Sequence, residues 1–224
     1  MKISIVIPAL NESANIVAAV EKAWATHPQE VIVADGGSDD GTPDLAQQAG
    51  AKVVSSPRGR GVQQNRGAAA ATGEVLLFLH ADTWLAPDGL PQITAAFDRP
   101  EVIFGAFRQR IEATGRIYRW LERGNALRAS WRGLPYGDQG VFVRRAAFEE
   151  AGGFPEVGLL EDVLLVKTLR RRAWPVLLPG PIHVSARRWE RHGVVSQTAR
   201  NWLLLSAARL GVPPDRLAAF YPRH

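Results

Sequence analysis

The stretch Val75-Leu76-Leu77-Phe78-Leu79-His80-Ala81-Asp82 decides the fold, because five large apolar residues follow one another between Gly73 and a polar end. An unbroken apolar run of this length, without polar alternation, predicts a strand buried on both faces, as in a parallel sheet covered by helices. The carboxylate of Asp82 then sits at the strand's C-terminal end, the edge where open α/β sheets bind ligands. The other reading of Asp82-Thr83 is a loop start or a helix cap, and the rest of the chain must discriminate.

Upstream, residues 3–7, 31–34 and 52–54 read as three more strands. The first is ended by Pro8, the second by Asp35-Gly36-Gly37-Ser38-Asp39-Asp40-Gly41-Thr42. Between them, Ser13 is a candidate cap for a helix carrying Ile16, Val17, Val20 and Trp24 at helical spacing. Thr42 and Pro43 start a second helix that Gly50 closes, and residues 61–72 form a third. Strand and helix alternating in this way predict right-handed βαβ units and a parallel sheet. One edge of that sheet then gathers residues 8–12, 35–40 and 80–82.

Downstream, residues 87–97 read as a helix and 102–110 as a strand. Residues 115–131 form a helix carrying Ile117, Tyr118, Trp120, Leu121, Leu127 and Trp131 among Arg116, Arg119, Arg123, Arg128 and Arg132. Such a helix suits a membrane interface, or else packs on the domain with its arginines solvated. Residues 141–143 form a strand, and Glu161-Asp162 opens a helix through Arg172 with its acids where the dipole favours them. Two strands near 176–178 and 182–184, a basic segment over 185–191 and an amphipathic helix over 196–210 complete the chain. There is no repeat, low-complexity tract or linker, so residues 1–224 read as one domain with a basic C-terminal helical extension over 191–224.

Composition narrows the function. Cysteine is absent, which excludes disulfides, thiolate zinc sites and thiol nucleophiles. The N-terminus has no signal-peptide pattern and no apolar run reaches the ~20 residues that span a bilayer, so the expected compartment is the cytoplasm. Residues 1–100 hold 7 basic against 11 acidic residues, residues 101–224 hold 20 against 11, and 23 of the 27 basic residues are arginine. The second half therefore expects an anionic partner: phosphate, nucleic acid or a membrane surface. No helix-turn-helix or zinc-finger pattern supports nucleic acid, and none is expected as a partner.

Pro8-Ala9-Leu10-Asn11-Glu12, Asp35 to Thr42, His80-Ala81-Asp82 and Glu161-Asp162, in this order at element ends, resemble the family 2 glycosyltransferases of GT-A fold. Gly59-Arg60-Gly61, Gly137-Asp138-Gln139 and Arg187-Arg188-Trp189 are similar to a compact bacterial subgroup. The resemblance implies an α/β fold with a mostly parallel sheet, divided into a nucleotide-sugar half (1–100) and an acceptor and catalytic half (101–190). It implies a nucleotide-diphosphate-sugar donor of UDP or GDP type, a Mg²⁺ or Mn²⁺ cofactor and inverting transfer to an acceptor, small or lipid-linked, at the inner membrane face.

By the same resemblance, Pro8, Asn11, Glu12, Asp35, Ser38 and Asp39 hold the nucleoside. Arg58, Arg60 and Arg66 surround a glycine-bearing helix start, which by its own chemistry suits a diphosphate grip, and Gly137, Asp138, Gln139, Arg188 and Trp189 are expected to face the donor sugar or acceptor. The usual Asp-x-Asp is here His-x-Asp: Asp82 keeps the metal, while His80 takes over a ribose contact. His183 matches a C-terminal histidine that completes the metal or phosphate site, with a structural role as the other reading. Asp162 is the base and Glu161 its neighbour. A sugar nucleotidyltransferase is the rival enzyme reading, but residues 8–12 are not the glycine-rich, Arg-containing loop it needs.

Overall fold

The computed structural model describes residues 1–220, with the side chains of Arg188, His192 and Arg209 outside the description. Eight strands form one sheet: β1 (Ile3–Ala9), β2 (Glu30–Asp35), β3 (Lys52–Ser55), β4 (Val75–Phe78), β5 (Thr83–Leu85), β6 (Phe104–Glu112), β7 (Phe142–Arg144) and β8 (Val176–Ser185). Their order across the sheet is β3-β2-β1-β4-β7-β6-β8-β5. The first four are mutually parallel, β7 runs antiparallel to both β4 and β6, β8 is parallel to β6, and β5 is antiparallel to β8.

The decisive stretch behaves as its composition requires. All four residues of β4 are buried, and alternate side chains enter opposite cores. Val75, Leu77 and Leu79 join Ile5 and Ile7 on one face, under Ile16 and Val20 of α1 (Ile16–Trp24) and Ile93 of α4 (Gly89–Phe97). Leu76 and Phe78 join Val6 on the other, under Ala68 of α3 (Arg60–Ala70), Phe148 of α6 (Arg145–Glu150) and Leu165 and Leu169 of α7 (Glu161–Arg170). Each such side chain removed from water contributes about 1.5–3 kcal/mol, so a polar replacement in β4 would be felt by both layers.

Several local expectations change. Ser13 caps nothing: its backbone N–H donates to Asp40 Oδ2, and α1 begins where the Ile16 N–H reaches the Glu12 carbonyl. The helix α2 (Thr42–Gln48) starts as expected with Pro43 in its first turn. The two late strands are one, β8, whose register against β6 shifts between Phe107 and Gln109, opposite Pro179-Gly180-Pro181. The strand expected at 102–110 lies at Phe104–Glu112, because Arg144 fixes the preceding turn by donating to the Val102 and Phe97 carbonyls.

The arginines of α5 (Arg116–Arg132) are not uniformly solvated. Arg119 donates to the carbonyls of Ile111 and Ala113 and pairs with Glu122. Arg128 lies 3.4 Å over the Tyr136 ring and donates to Leu134, Asn125 and Gln139. The C-terminal segment is three helices, α8 (Arg187–His192), α9 (Val194–Arg209) and α10 (Pro214–Ala218). It folds back on the domain: Leu204 and Leu217 bury against Leu159, and Asp215 accepts the Gly158 N–H. Among the described residues no helix is long and apolar enough to cross a membrane.

Candidate active site

The C-terminal ends of β1, β2, β4 and β8 and the start of β7 share one rim, and two loop systems occupy it. The first joins the ends of β1 and β2. Asn11 donates its N–H to Ser38 Oγ and accepts the Asp39 N–H on Oδ1, while the Glu12 N–H donates to Thr42 Oγ1. Pro8 is buried in register with Ala34. Gln63 of α3 locks both strands from beneath, donating to the carbonyls of Ala9 and Ala34.

Three acids within six positions need compensation, and the loop supplies it. Asp35 is buried and accepts from the N–H groups of Gly37 and Ser38 and from the Ser38 hydroxyl. Asp40 is held well below the ordinary carboxylate range, chiefly by the Thr42 hydroxyl and then by the Ser13 N–H. Glu12 accepts from the Asn15 side chain and stands 3.7 Å from the Arg187 guanidinium, which ties the first loop to α8.

The second system surrounds a cleft of about 890 Å³, counting the space open to solvent. Arg60, His80, Asp82, Asp138, Asp162 and Trp189 all line it. His80 to Thr83 form a tight turn closed by the Thr83 N–H on the His80 carbonyl and by the His80 N–H on Thr83 Oγ1. Asp82 thus sits just past the strand, held where the Ser185 N–H meets its carbonyl.

Asp162 Oδ2 accepts the Gly137 N–H at 2.6 Å and Oδ1 accepts the Val163 N–H at 2.7 Å, so the carboxylate is aimed by two backbone groups. An ionised carboxylate has about four acceptor positions, which leaves room for a further partner. A Cβ built on Gly137 would lie 3.0 Å from His80 Nε2 and 3.1 Å from Asp162 Oδ2, so a side chain here would press both groups apart by a few tenths of an ångström. Glu161 is 2 % exposed and pairs with Arg60 at 2.9 Å. Burial pushes its carboxyl above the ordinary range and the nearby Asp162 charge adds to this, against the pull of Arg60. A buried acid perturbed in this way, one residue from a cleft-lining carboxylate, is what functional sites concentrate.

Other expected site residues stand elsewhere. Gln139 does not line the cleft; it is fully buried, and its side chain is spent on Arg128, the Tyr136 N–H and the Phe107 carbonyl. His183 is also outside it: its ring stacks on Trp84 at 5.4 Å and its Nδ1 meets Glu112 at 2.7 Å, since strand alternation points it away from its cleft-lining neighbour Val184. Arg66 is exposed on α3, away from the cleft. The side chain of Arg188 lies outside the described residues. Asp35, Ser38 and Asp39 belong to the first loop system and do not border the cleft with Asp82 and Asp162.

The cleft also has walls the sequence did not announce. Gln197, Asn201, Leu204 and Leu205 of α9 and Leu159, Leu160 and Val163 around α7 close it. Among the described residues no three His, Cys, Asp or Glu side chains converge as a ready-made metal cage. A Mg²⁺-type site needs one or two carboxylates to complete a shell supplied mostly by substrate phosphates and water. The cleft is lined by Asp82, Asp138 and Asp162, and Asp138 Oδ1 is buried without a hydrogen-bond partner.

Comparison with known proteins agrees with this arrangement. The family model described as glycosyl transferase family 2 matches residues 4–152. An undecaprenyl-phosphate 4-deoxy-4-formamido-L-arabinose transferase of Enterobacter sp. is 27% identical over 64% of this chain and 48% of its own. A glucosyl-3-phosphoglycerate synthase of Mycolicibacterium smegmatis is 31% identical over 50% of this chain and 43% of its own. The chain spans 27% to 48% of the length of the first curated relatives it matches.

Among solved structures, glucosyl-3-phosphoglycerate synthase from Mycobacterium tuberculosis, in complex with Mn²⁺, UDP and glucosyl-3-phosphoglycerate, superposes with a TM-score of 0.61. It is 22% identical, with 95% of this chain and 81% of that chain covered. The S. aureus TarS structure in complex with UDP-GlcNAc gives 0.63 at 18% identity, over 83% of this chain and 58% of that one. These neighbours establish the GT-A fold. With the family model spanning residues 4–152, two thirds of the chain and seven of its eight strands, this chain belongs to the family 2 glycosyltransferases.

Proposed function

We propose that this protein transfers a sugar from a UDP-sugar to an acceptor oxygen with inversion at the anomeric carbon. The observation that carries the reading is the joint presence of Asp82 and Asp162 in one cleft, beside the stitched loops at the ends of β1 and β2. In this reading those loops hold the nucleoside, and Asp82 faces the diphosphate with Arg60 nearby. When bound, Mg²⁺ or Mn²⁺ neutralises charge on the departing diphosphate. Asp162 takes the acceptor proton as the new bond from acceptor oxygen to anomeric carbon forms. The bond from anomeric carbon to phosphate oxygen breaks with its electron pair, releasing UDP. Glu161 and Arg60 act as positioning residues that fix the start of α7. The donor class is supported by solved neighbours that hold UDP or UDP-GlcNAc.

The acceptor is proposed to be presented at a membrane surface. On α5, Ile117, Trp120, Gly124, Leu127 and Trp131 follow one another at spacings of three and four and are all exposed, Trp120 at 68% and Trp131 at 80%. The charged residues exposed beside them are Arg116, Arg123 and Arg132, with no acid among them. An apolar stripe edged only by cations suits an anionic bilayer better than a second copy of the same helix, whose arginines would oppose it.

The test is thermal melting with UDP and Mn²⁺. At a ligand concentration one hundred times Kd, binding adds about 2.7 kcal/mol, or about 5–11 °C for a chain of this size. The wild type is expected to show this shift and Asp82→Ala to lose most of it. Equal shifts in the two proteins would remove Asp82 from the metal role.

A further inference from the structure

A second cavity of about 710 Å³, counting the space open to solvent, adjoins the cleft. Both are lined by Tyr136, Leu160, Val163 and Leu205, which stand where one passes into the other. Beyond them the second cavity is bounded by Leu134, Leu164, Ala208, Val212 and Pro213. Among the described residues its one charged lining residue is Lys167, exposed on α7. From Asp162 to Lys167 the groove follows α7 for about 7.5 Å at 1.5 Å per residue. It reaches the surface at the turn between α9 and α10, where Leu210 is 87% exposed.

Polarity changes along this path. At the cleft end stand Asp162, Asp138 and the amides of Gln197 and Asn201, joined to each other by a 3.2 Å hydrogen bond. At the far end the walls are aliphatic. We propose that the groove holds the aliphatic chain of the acceptor, whose polar head is the group presented to Asp162. This inference rests on the transferase reading given above and adds the acceptor's chemical class: a polar head on a single apolar chain. The continuity of the two cavities selects this occupant, because a ligand filling both must be polar at one end and hydrocarbon at the other. A peptide lying there would bring backbone groups that the aliphatic walls leave without partners.

The test uses n-alkyl phosphates from butyl to decyl, with inorganic phosphate as reference, in equilibrium dialysis against the full chain. Burial of one methylene is worth about fourfold in affinity. Affinity for the wild type is therefore expected to climb by up to about that factor per carbon and then level off as the groove fills. In Ala208→Trp, which places an indole in the groove, the climb is expected to vanish while the UDP and Mn²⁺ melting shift stays. Should Ala208→Trp fail to fold, Val212→Asp at the mouth serves in its place, and a reduced slope is expected. A flat series in the wild type, or an unchanged climb in the filled variant, overturns the proposal. Loss of the UDP and Mn²⁺ shift in the wild type would instead sink the donor reading and leave the chain-length dependence to be judged alone.

Discussion

Asp162→Asn is the obvious test of a catalytic base, and the geometry says it measures two things at once. The carboxylate accepts from Gly137 at 2.6 Å with one oxygen and from Val163 at 2.7 Å with the other. An asparagine amide offers one carbonyl oxygen and one NH₂, so whichever way it turns, one of the two backbone N–H groups faces another donor. A hydrogen bond to a charged acceptor contributes about 1.5–3 kcal/mol, nearer the low end in a site open to water. At about 2–4 °C per kcal/mol for a chain of this size, the variant should melt about 3–12 °C below the wild type. Loss of the base should slow transfer by a further 10²–10⁴-fold, a rough range for general base catalysis. Both are read by combining a melting curve with UDP release in the presence of membrane extract, below the variant's melting temperature. An unchanged melting point would show that the two N–H bonds do not hold the carboxylate, and retained UDP release would remove Asp162 from proton transfer.

Gly61→Ala puts a methyl 2.5 Å from the Pro155 carbonyl oxygen, which must force α3 from the loop that precedes α7. Urea unfolding should show a loss of about 1–3 kcal/mol, as overpacking does, and an unaltered midpoint would contradict the contact. His183→Ala should leave the Mn²⁺-dependent UDP shift intact, because the ring is committed to Trp84 and Glu112; a lost shift would restore the metal role expected from the sequence. The raised pKa of Glu161 means the folded chain binds its proton more readily than the unfolded one. Wild-type stability should therefore fall as pH rises through the window above about 4.3, the unfolded carboxyl value, and Glu161→Gln should flatten that slope; parallel curves would refute the assignment.

The part of the chain up to Leu85 was legible because its information is local. In β1 and β4 each residue's burial follows from neighbours two positions away, and each acidic motif marks the place where such a strand stops. The same locality explains the misplacements. A histidine in an apolar strand does not say which face it takes, and for His183 that is decided by register against Trp84, 99 residues earlier, and Arg110, 73 residues earlier. Gln139 looked like a ligand for a sugar because glycines flank it, whereas its amide completes a buried network begun by Arg128 on α5.

The acceptor side was hidden for a different reason. Gln197, Asn201, Leu204, Leu205 and Ala208 lie at i, i+4, i+7, i+8 and i+11, which is one face of α9. That face begins with amides and ends with aliphatics, so an apolar-periodicity reading catches Leu204 and Leu205 together with the outward Trp202 and Leu203 and passes over Gln197 and Asn201. Its order becomes meaningful once Asp162 is known to lie beneath its first turns, with Leu164 and Lys167 beside its later ones. A helix whose inner face grades from hydrogen-bonding to hydrocarbon, laid over a carboxylate, is built to sort a ligand along its length. In the reading proposed above, the segment expected as a basic extension supplies, through α9, the wall that meets the acceptor.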